Sequence, residues 1–198
     1  GEKANSRLLK GLKLLKPLLV GIALAEKDEG RRYLAGKDFE PLLQQLNSPV
    51  YLLKSEPEWV FEECDSAFVP FWDDTNTRFA ITTALNIDPN LKITAGKVIS
   101  PAVDSDERQM QQGEFENQTK KWISNPRFDI KLLYNFDEKE ALLEEAKKYD
   151  FLLTGASKGN QLARTLFGDY RNQLVNQAKG PAIILREFQG ETGKALFK

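Results

Sequence analysis

A glycine-dotted loop in the C-terminal half of the chain has the residue types of a phosphate-binding turn. Residues 152–174 read LLTGASKGNQLARTLFGDYRNQL, which is an apolar run, a loop and the start of a helical pattern. Such turns hold phosphate with backbone N–H groups, because glycines let the chain bend and a helix N-terminus adds positive potential. Gly155, Gly159 and Gly168 meet this requirement in type. The loop therefore raises the question of a nucleotide site.

The composition excludes most other site chemistry. The 198 residues include no histidine, which removes imidazole catalysis, Ser-His-Asp and Cys-His nucleophiles and histidine metal sites. The single cysteine, Cys64, allows neither an internal disulfide nor a cysteine-rich zinc site, and it is interpreted as an idle or buried thiol. Carboxylates are plentiful, but no pair stands out as an acid–base dyad. We therefore expect no catalytic residues and no metal.

Charge and hydropathy argue against nucleic-acid binding and against a membrane-spanning helix. The net charge is −1 and the pI is about 5.8, and no basic stripe interleaved with aromatic residues is present, so nucleic acid is not an expected partner. The uncharged apolar run at residues 17–25 is shorter than the ~20 residues of a membrane-spanning helix. The sequence as given predicts a soluble chain.

The elements around the loop alternate between strand and helix patterns. We predict strands at 67–72, 92–99, 128–134, 150–155 and 181–186, and helices near 77–87, 106–124, 137–148 and 162–178. Asp137 and Glu140 form a capping-box pattern at the start of the third helix. Because the connections suit crossovers and no tight hairpin turn is present, the pattern predicts an α/β doubly wound domain with a parallel five-stranded sheet.

The first 58 residues resemble the end of the chain. We predict a helix at 5–16, a strand at 17–23, a helix near 37–47 and a strand at 49–54. The segment LAGKDFEPLLQQLNSPVYLLK aligns without a gap with LFGDYRNQLVNQAKGPAIILR, which places Gly36 on Gly168 and Pro49 on Pro181. Upstream, residues 18–21 match 152–155 if two residues are gapped. The alignment predicts a partial unit over 1–58 and a complete unit over 59–198; chance similarity between Leu-rich helices is the alternative.

The strand pattern and the loop resemble the universal stress protein (UspA-like) domain, completely over about residues 64–188 and partly over 17–54. This resemblance implies an adenine-nucleotide alpha-hydrolase-like fold with strand order 3-2-1-4-5. The sheet would be extended by an N-terminal βαβ half unit, and any ligand would lie at the carboxyl ends of strands one and four. Strand five of a complete unit is a sheet edge, so we predict that residues 50–54 pair antiparallel with residues 182–186.

The nucleotide motif of that family is matched only in part. Nucleotide-binding members have glycine, two residues, glycine, nine residues, and then glycine followed by serine or threonine. Gly155 and Gly168 fall in register, whereas Lys158 stands at the second glycine position and Gly159 follows one residue late. Asp169 stands at the serine or threonine position, where a carboxylate would repel a triphosphate.

The family's first strand ends in an aspartate that reaches the nucleoside. Here Trp72 stands at that position and Asp73 follows it. Lys158 and Arg171 offset part of the negative charge of Asp169. The resemblance therefore implies a degenerate nucleotide site at these residues, with no cofactor and no ATP binding in the family's usual way.

The end of the first strand also resembles a branch of the family that is fused to membrane transporters. Domains of amino-acid permeases, cation antiporters and cation-chloride cotransporters tend to read V-P-x-x-G-G-P-N-S at this point. The stretch VPFWDDTNT matches at Val69, Pro70 and Asn76, with Thr77 for the serine and with Asp73 and Asp74 for the glycine pair. This implies a non-catalytic regulatory or assembly domain on the cytoplasmic side of a membrane. Its expected partners are the transmembrane part of the same polypeptide and a second copy of the chain.

Two other functions stay open at this point. One is a free-standing ATP-binding universal stress protein in the cytoplasm, and the other is an enzyme such as a small hydrolase or an electron-transfer α/β subunit. The glycine at position 1 and the start inside a unit are expected for a piece of a longer polypeptide. The basic, Leu-rich helix at residues 5–16 suits either a juxtamembrane segment or an ordinary amphipathic helix.

Overall fold

The computed structural model describes residues 20–24, 49–54, 63–72, 75–155, 174–175, 177–178 and 180–186, which form a seven-stranded sheet with helices. The strands are β1 Val20–Leu24, β2 Val50–Lys54, β3 Ser66–Pro70, β4 Lys92–Ile99, β5 Phe128–Tyr134, β6 Phe151–Gly155 and β7 Ala182–Arg186. The helices are α1 Thr75–Ile87, α2 Ser105–Ile123 and α3 Glu138–Ala146. The order in the sheet is β1-β2-β7-β6-β3-β4-β5.

The five strands of the predicted complete unit lie in the predicted order. Read from β5, the sequence β5-β4-β3-β6-β7 is the order 3-2-1-4-5, and these neighbours all pair in parallel. The first three predicted helices of that unit correspond to α1, α2 and α3. Most of the fourth, at 162–178, lies outside the described residues, as do the predicted helices at 5–16 and 37–47.

The predicted antiparallel contact is confirmed. Strand β2, Val50–Lys54, pairs over its whole length with Ala182–Arg186 of β7. Its middle residue Leu52 pairs with Ile184, the residue that occupies the same position in the repeat. A local twofold axis therefore passes between these two residues, with β1 beside β2 and β6 beside β7.

The strand register corrects one detail of the predicted repeat. Val50 pairs with Val20, whereas its repeat counterpart Ala182 pairs with Leu152. Val20 therefore corresponds to Leu152 with no gap, and the predicted two-residue gap is wrong. Gly21 therefore does not correspond to Gly155, because the strand registers place Ala23 at the position of Gly155.

The central strands β3, β6 and β7 are buried on both faces, as in a doubly wound sheet. Side chains alternate between the two faces because the strands are extended. The face that we call the α3 face packs Phe68, Leu142, Leu152 and Ile184 into one cluster. The opposite α1 face packs Val69, Phe79, Phe115 and Leu153 into another.

An arginine fastens the end of α1 to the start of β5. The Arg127 guanidinium donates to the carbonyl oxygens of Leu85 at 2.9 Å, Asp88 at 2.7 Å and Leu91 at 3.3 Å. These carbonyls lie at the last turn of α1 and in the loop that leads to β4, where backbone acceptors have no helical partner. The contact lies at the amino ends of β4 and β5, opposite the carboxyl ends of the strands.

Within the described part of the chain, no helix combines the length and the apolar character that a membrane crossing requires.

Candidate functional site

The topology places a crevice between the carboxyl ends of β3 and β6. These strands are neighbours, with Ala67 paired to Phe151, but the chain leaves them toward opposite sides of the sheet. From β3 it continues through α1 to β4, and from β6 it continues to β7. In doubly wound sheets ligands bind at such a switch point, outside the carboxyl ends of the strands. Trp72 and Gly155 both follow or end these strands and therefore flank the crevice.

Gly155 is explained by close packing. A Cβ atom built on it would lie 2.5 Å from the carbonyl carbon of Asn76 and 2.5 Å from the backbone nitrogen of Thr77. The first turn of α1 therefore passes directly against the end of β6. Glycine is required at this position whether or not a phosphate ever approaches it.

Trp72 lies just beyond the end of β3 and packs on the α3 face of the sheet. Its indole nitrogen donates to the Oε1 atom of Glu138 at 2.8 Å. The half-buried ring packs, together with Val98 and Leu133, against the cluster on the α3 face. The side chain thus joins the end of β3 to the first turn of α3, across the intervening strand β4.

The acceptor lies in an acidic helix start. Asp137 caps α3 by accepting a hydrogen bond from the Glu140 backbone nitrogen at 3.0 Å, which confirms the predicted N-cap. The Asp137 backbone nitrogen donates to the side chain of Asn135 at 3.0 Å. The carboxylates of Asp137, Glu138 and Glu140 interact favourably with the positive end of the helix dipole. They would repel a phosphate group placed beside Trp72.

A cation and two aromatic rings lie farther along the same edge. The Arg108 side chain donates to the Val103 carbonyl at 3.4 Å, and its guanidinium lies 5.4 Å from the centre of the Tyr134 ring. Tyr134 is 51% exposed and Phe136 is 78% exposed. Sequence reasoning identified neither Arg108 nor Glu138, since neither position carries a motif.

A buried carboxylate holds α3 on the sheet. Glu145 is only 3% exposed and accepts hydrogen bonds from Lys131 at 2.7 Å, Lys148 at 2.8 Å and the Tyr149 hydroxyl at 3.2 Å. Burial acts to raise the pKa of Glu145, but the two lysine ammonium groups outweigh it and hold that pKa below its ordinary value. The same contact raises the pKa of Lys131. The group is thus an ionised, satisfied anchor for α3, whose first residue, Glu138, lies about two helical turns before it.

The remaining predicted site residues lie outside the described residues: Asp73, Lys158, Gly159, Gly168, Asp169 and Arg171. Of the predicted set, the structure describes Trp72 and Gly155, and it places both at the switch point. Among the residues that the structure describes, no group of three or more acidic or thiol side chains is arranged to hold a metal ion.

The comparisons with known proteins concern the fold. No protein-family model and no curated protein matches the sequence. The cytoplasmic domain of a prokaryotic cation chloride cotransporter superposes with a TM-score of 0.65 at 14% identity, covering 98% of this chain and 74% of that one. A universal stress protein from Archaeoglobus fulgidus DSM 4304 superposes with a TM-score of 0.57 at 13% identity, covering 91% of this chain and 64% of that one. The chain thus has the α/β fold that universal stress proteins share with the cytoplasmic domain of that cotransporter.

Proposed function

We propose that this chain is a non-catalytic domain on the cytoplasmic side of a membrane, where it regulates or assembles a transporter through the transmembrane part of the same polypeptide. The observation that carries the proposal is the match to the cotransporter's cytoplasmic domain over 98% of this chain. That likeness extends beyond the complete unit and includes β1 and β2. A single stress-protein unit alone would not account for it.

The central strand pairing suits such a role. In an isolated unit β7 would be an edge whose free N–H and C=O groups invite another strand. Here β2 occupies that edge and joins both parts of the chain in one hydrogen-bonded sheet. A continuous sheet moves as one body, so a displacement at one end is transmitted to the other. A domain that passes a conformational change to a transporter requires this property.

The crevice residues argue against a working nucleotide site. Trp72 stands where the family has its nucleoside-reaching aspartate, and it donates to Glu138 in the acidic first turn of α3, whose carboxylates would repel a phosphate nearby. Titration calorimetry with ATP and magnesium should therefore detect no binding tighter than about 100 μM, or roughly 5.5 kcal/mol. Micromolar binding would refute this part of the proposal.

A second candidate is a free-standing nucleotide-binding universal stress protein. The match to the Archaeoglobus protein over 91% of this chain favours it, since that match also extends beyond the complete unit. The two candidates differ in what the gene encodes around this sequence.

The complete reading frame separates the candidates. Under the transporter proposal, the encoded polypeptide contains several apolar segments of about 20 residues in addition to this domain. A polypeptide that begins with methionine at this point and contains no such segment would contradict the transporter proposal and select the free-standing protein.

A further inference from the structure

We propose that β5 is an interaction surface that pairs antiparallel with β5 of a second copy of this chain, with Ile130 of each copy at the twofold axis. The pairing would join the two sheets into one sheet of fourteen strands, seven from each copy. This inference goes beyond the proposed function, which names no surface for assembly. The dimer is a property of the chain itself, so its test does not depend on a transporter.

Strand β5 is an edge whose backbone groups alternate in direction. Among the described strands, its sole neighbour is β4. The Ile93 backbone nitrogen donates to the Arg127 carbonyl at 2.7 Å, so the odd-numbered residues of β5 direct their backbone groups toward β4. The even-numbered residues therefore direct their N–H and C=O groups away from the sheet. Such an edge can accept another strand.

The charges of β5 select one register for pairing with its own copy. Asp129 and Lys131 are both exposed, and they share a face because they lie two residues apart. A twofold axis at Asp129 would set two carboxylates opposite each other, and an axis at Lys131 would set two ammonium groups opposite each other. An axis at Ile130 sets each Asp129 opposite the partner's Lys131. Opposite charges stabilise a cross-strand pair and like charges destabilise it, so the axis at Ile130 is favoured.

The same register matches apolar side chains on the other face of β5. Ile130 lies opposite its own copy, and Phe128 lies opposite the partner's Leu132. All three side chains pack against the core cluster on the α1 face. The partner's Tyr134 falls at the start of β5, the end of the interface at which Ile123 ends α2. These two side chains are 51% and 45% exposed, so the pairing brings exposed apolar surface together.

The charged side chains also protect the edge in a single chain. Asp129 accepts a hydrogen bond from the Ile130 backbone nitrogen at 2.8 Å and so covers one outward N–H group. Pairing exchanges this contact, because the partner's Ile130 carbonyl takes the N–H group and the carboxylate meets the partner's Lys131. Lys131 binds Glu145 at 2.7 Å, but its side chain is 44% exposed and its ammonium group has three donors. The edge is thus covered against unrelated strands and open to its own copy.

The interface is short. The Phe128 backbone nitrogen already donates to the Asn125 carbonyl at 3.0 Å, which leaves the Phe128 carbonyl for the partner's Leu132 nitrogen. Hydrogen bonds between the copies therefore form at Ile130 and from Leu132 to Phe128, in both directions. Such a pairing buries less surface than a standard interface, so we expect a dimer that dissociates on dilution.

Sedimentation velocity of the full chain over about 1–500 μM tests the dimer. Asp129→Lys sets two lysines opposite each other, and we expect it to weaken the dimer by about tenfold or more. Glu63→Lys is the matched control, since it makes the same charge change at an exposed position before β3, two strands from the edge. We expect the control to dimerise like the wild type, and circular dichroism checks that both variants are folded.

Disulfide trapping tests the register without changing a charge. In a Cys64→Ala background, Ile130→Cys places two thiols in a hydrogen-bonded pair with Cα atoms about 5.5 Å apart, which suits a disulfide. We expect mild oxidation to give a covalent dimer of Ile130→Cys but not of Leu132→Cys, which lies on the same face two residues away. The pairing is overturned if the wild type stays monomeric at all concentrations. It is also overturned if Asp129→Lys dimerises like the wild type, or if Ile130→Cys does not crosslink.

Discussion

Removing the buried carboxylate of Glu145 should destabilise the protein by about 2–3 kcal/mol. The carboxylate is 3% exposed and accepts three hydrogen bonds, two of them from lysines. Hydrogen bonds to charged groups contribute about 1.5–3 kcal/mol each when buried. The side chains of Lys131 and Lys148 are 44% and 61% exposed, so water solvates their ammonium groups when the carboxylate is lost. The summed contribution of the hydrogen bonds to stability must therefore be reduced.

The assay is denaturant unfolding of Glu145→Ala beside the wild type, with Glu144→Ala as the control. Glu144 is the preceding residue and also contacts a lysine, Lys147, but its side chain is 63% exposed. We expect no measurable change in unfolding free energy for the control. Equal stability of Glu145→Ala and the wild type would refute the anchor role.

The pH dependence has a definite sign. Because the folded protein lowers the pKa of Glu145 below the ordinary value of 4.5, the carboxylate contributes stability above that pH and loses it as the pH falls through the folded pKa. The difference between Glu145→Ala and the wild type should therefore narrow when unfolding is repeated in increasingly acidic buffer. A difference that stayed constant down to about pH 3 would contradict the lowered pKa.

Substitutions of Gly155 and Arg127, each with a control variant, test the packing of β6 and the capping of α1. Gly155→Ala should cost about 1–3 kcal/mol, because the new Cβ atom would meet the backbone of α1 at 2.5 Å. Gly113→Ala is its control: nothing lies within 4 Å of a Cβ there, so thermal unfolding should show a gain of about 0.5–1 kcal/mol. Arg127→Ala should cost about 1.5–3 kcal/mol in denaturant unfolding, since it leaves three carbonyls without their charged donor, and Arg127→Lys should recover only part of that. A neutral Arg127→Ala would remove the capping argument.

The architecture was accessible from the sequence because it depends on local patterns. The strand and helix alternation after residue 66 predicted the doubly wound sheet, and the resemblance supplied the order in which the strands lie. The contact of β2 with β7 could be predicted because the last strand of a complete unit is a sheet edge with unpaired N–H and C=O groups, and the repeat supplies a strand that can pair with it. The correspondence between β1 and β6 could not be read from the repeat alone, since matching Gly21 with Gly155 gave a gap that the strand registers contradict.

The side-chain contacts at the crevice were harder to predict from the sequence, because the residues that contact one another there are far apart along the chain. Trp72 could be identified as a departure from the family pattern, but Glu138 lies 66 residues away and carries no motif of its own. Gly155 was recognised by type and interpreted as a phosphate-binding position, whereas the structure explains it by the approach of α1. The capping box at α3 was half predicted: Asp137 caps the helix, but Asn135 binds its backbone nitrogen.

Transport by the complete polypeptide should depend on this domain if the domain regulates or assembles the transporter. Solute flux and membrane abundance should be measured for the complete protein and for a version that lacks residues 1–198 of this chain. We expect the shortened protein to reach the membrane, with its flux or its assembly clearly altered. Unchanged flux and unchanged assembly at equal abundance would contradict a regulatory or assembly role for this domain.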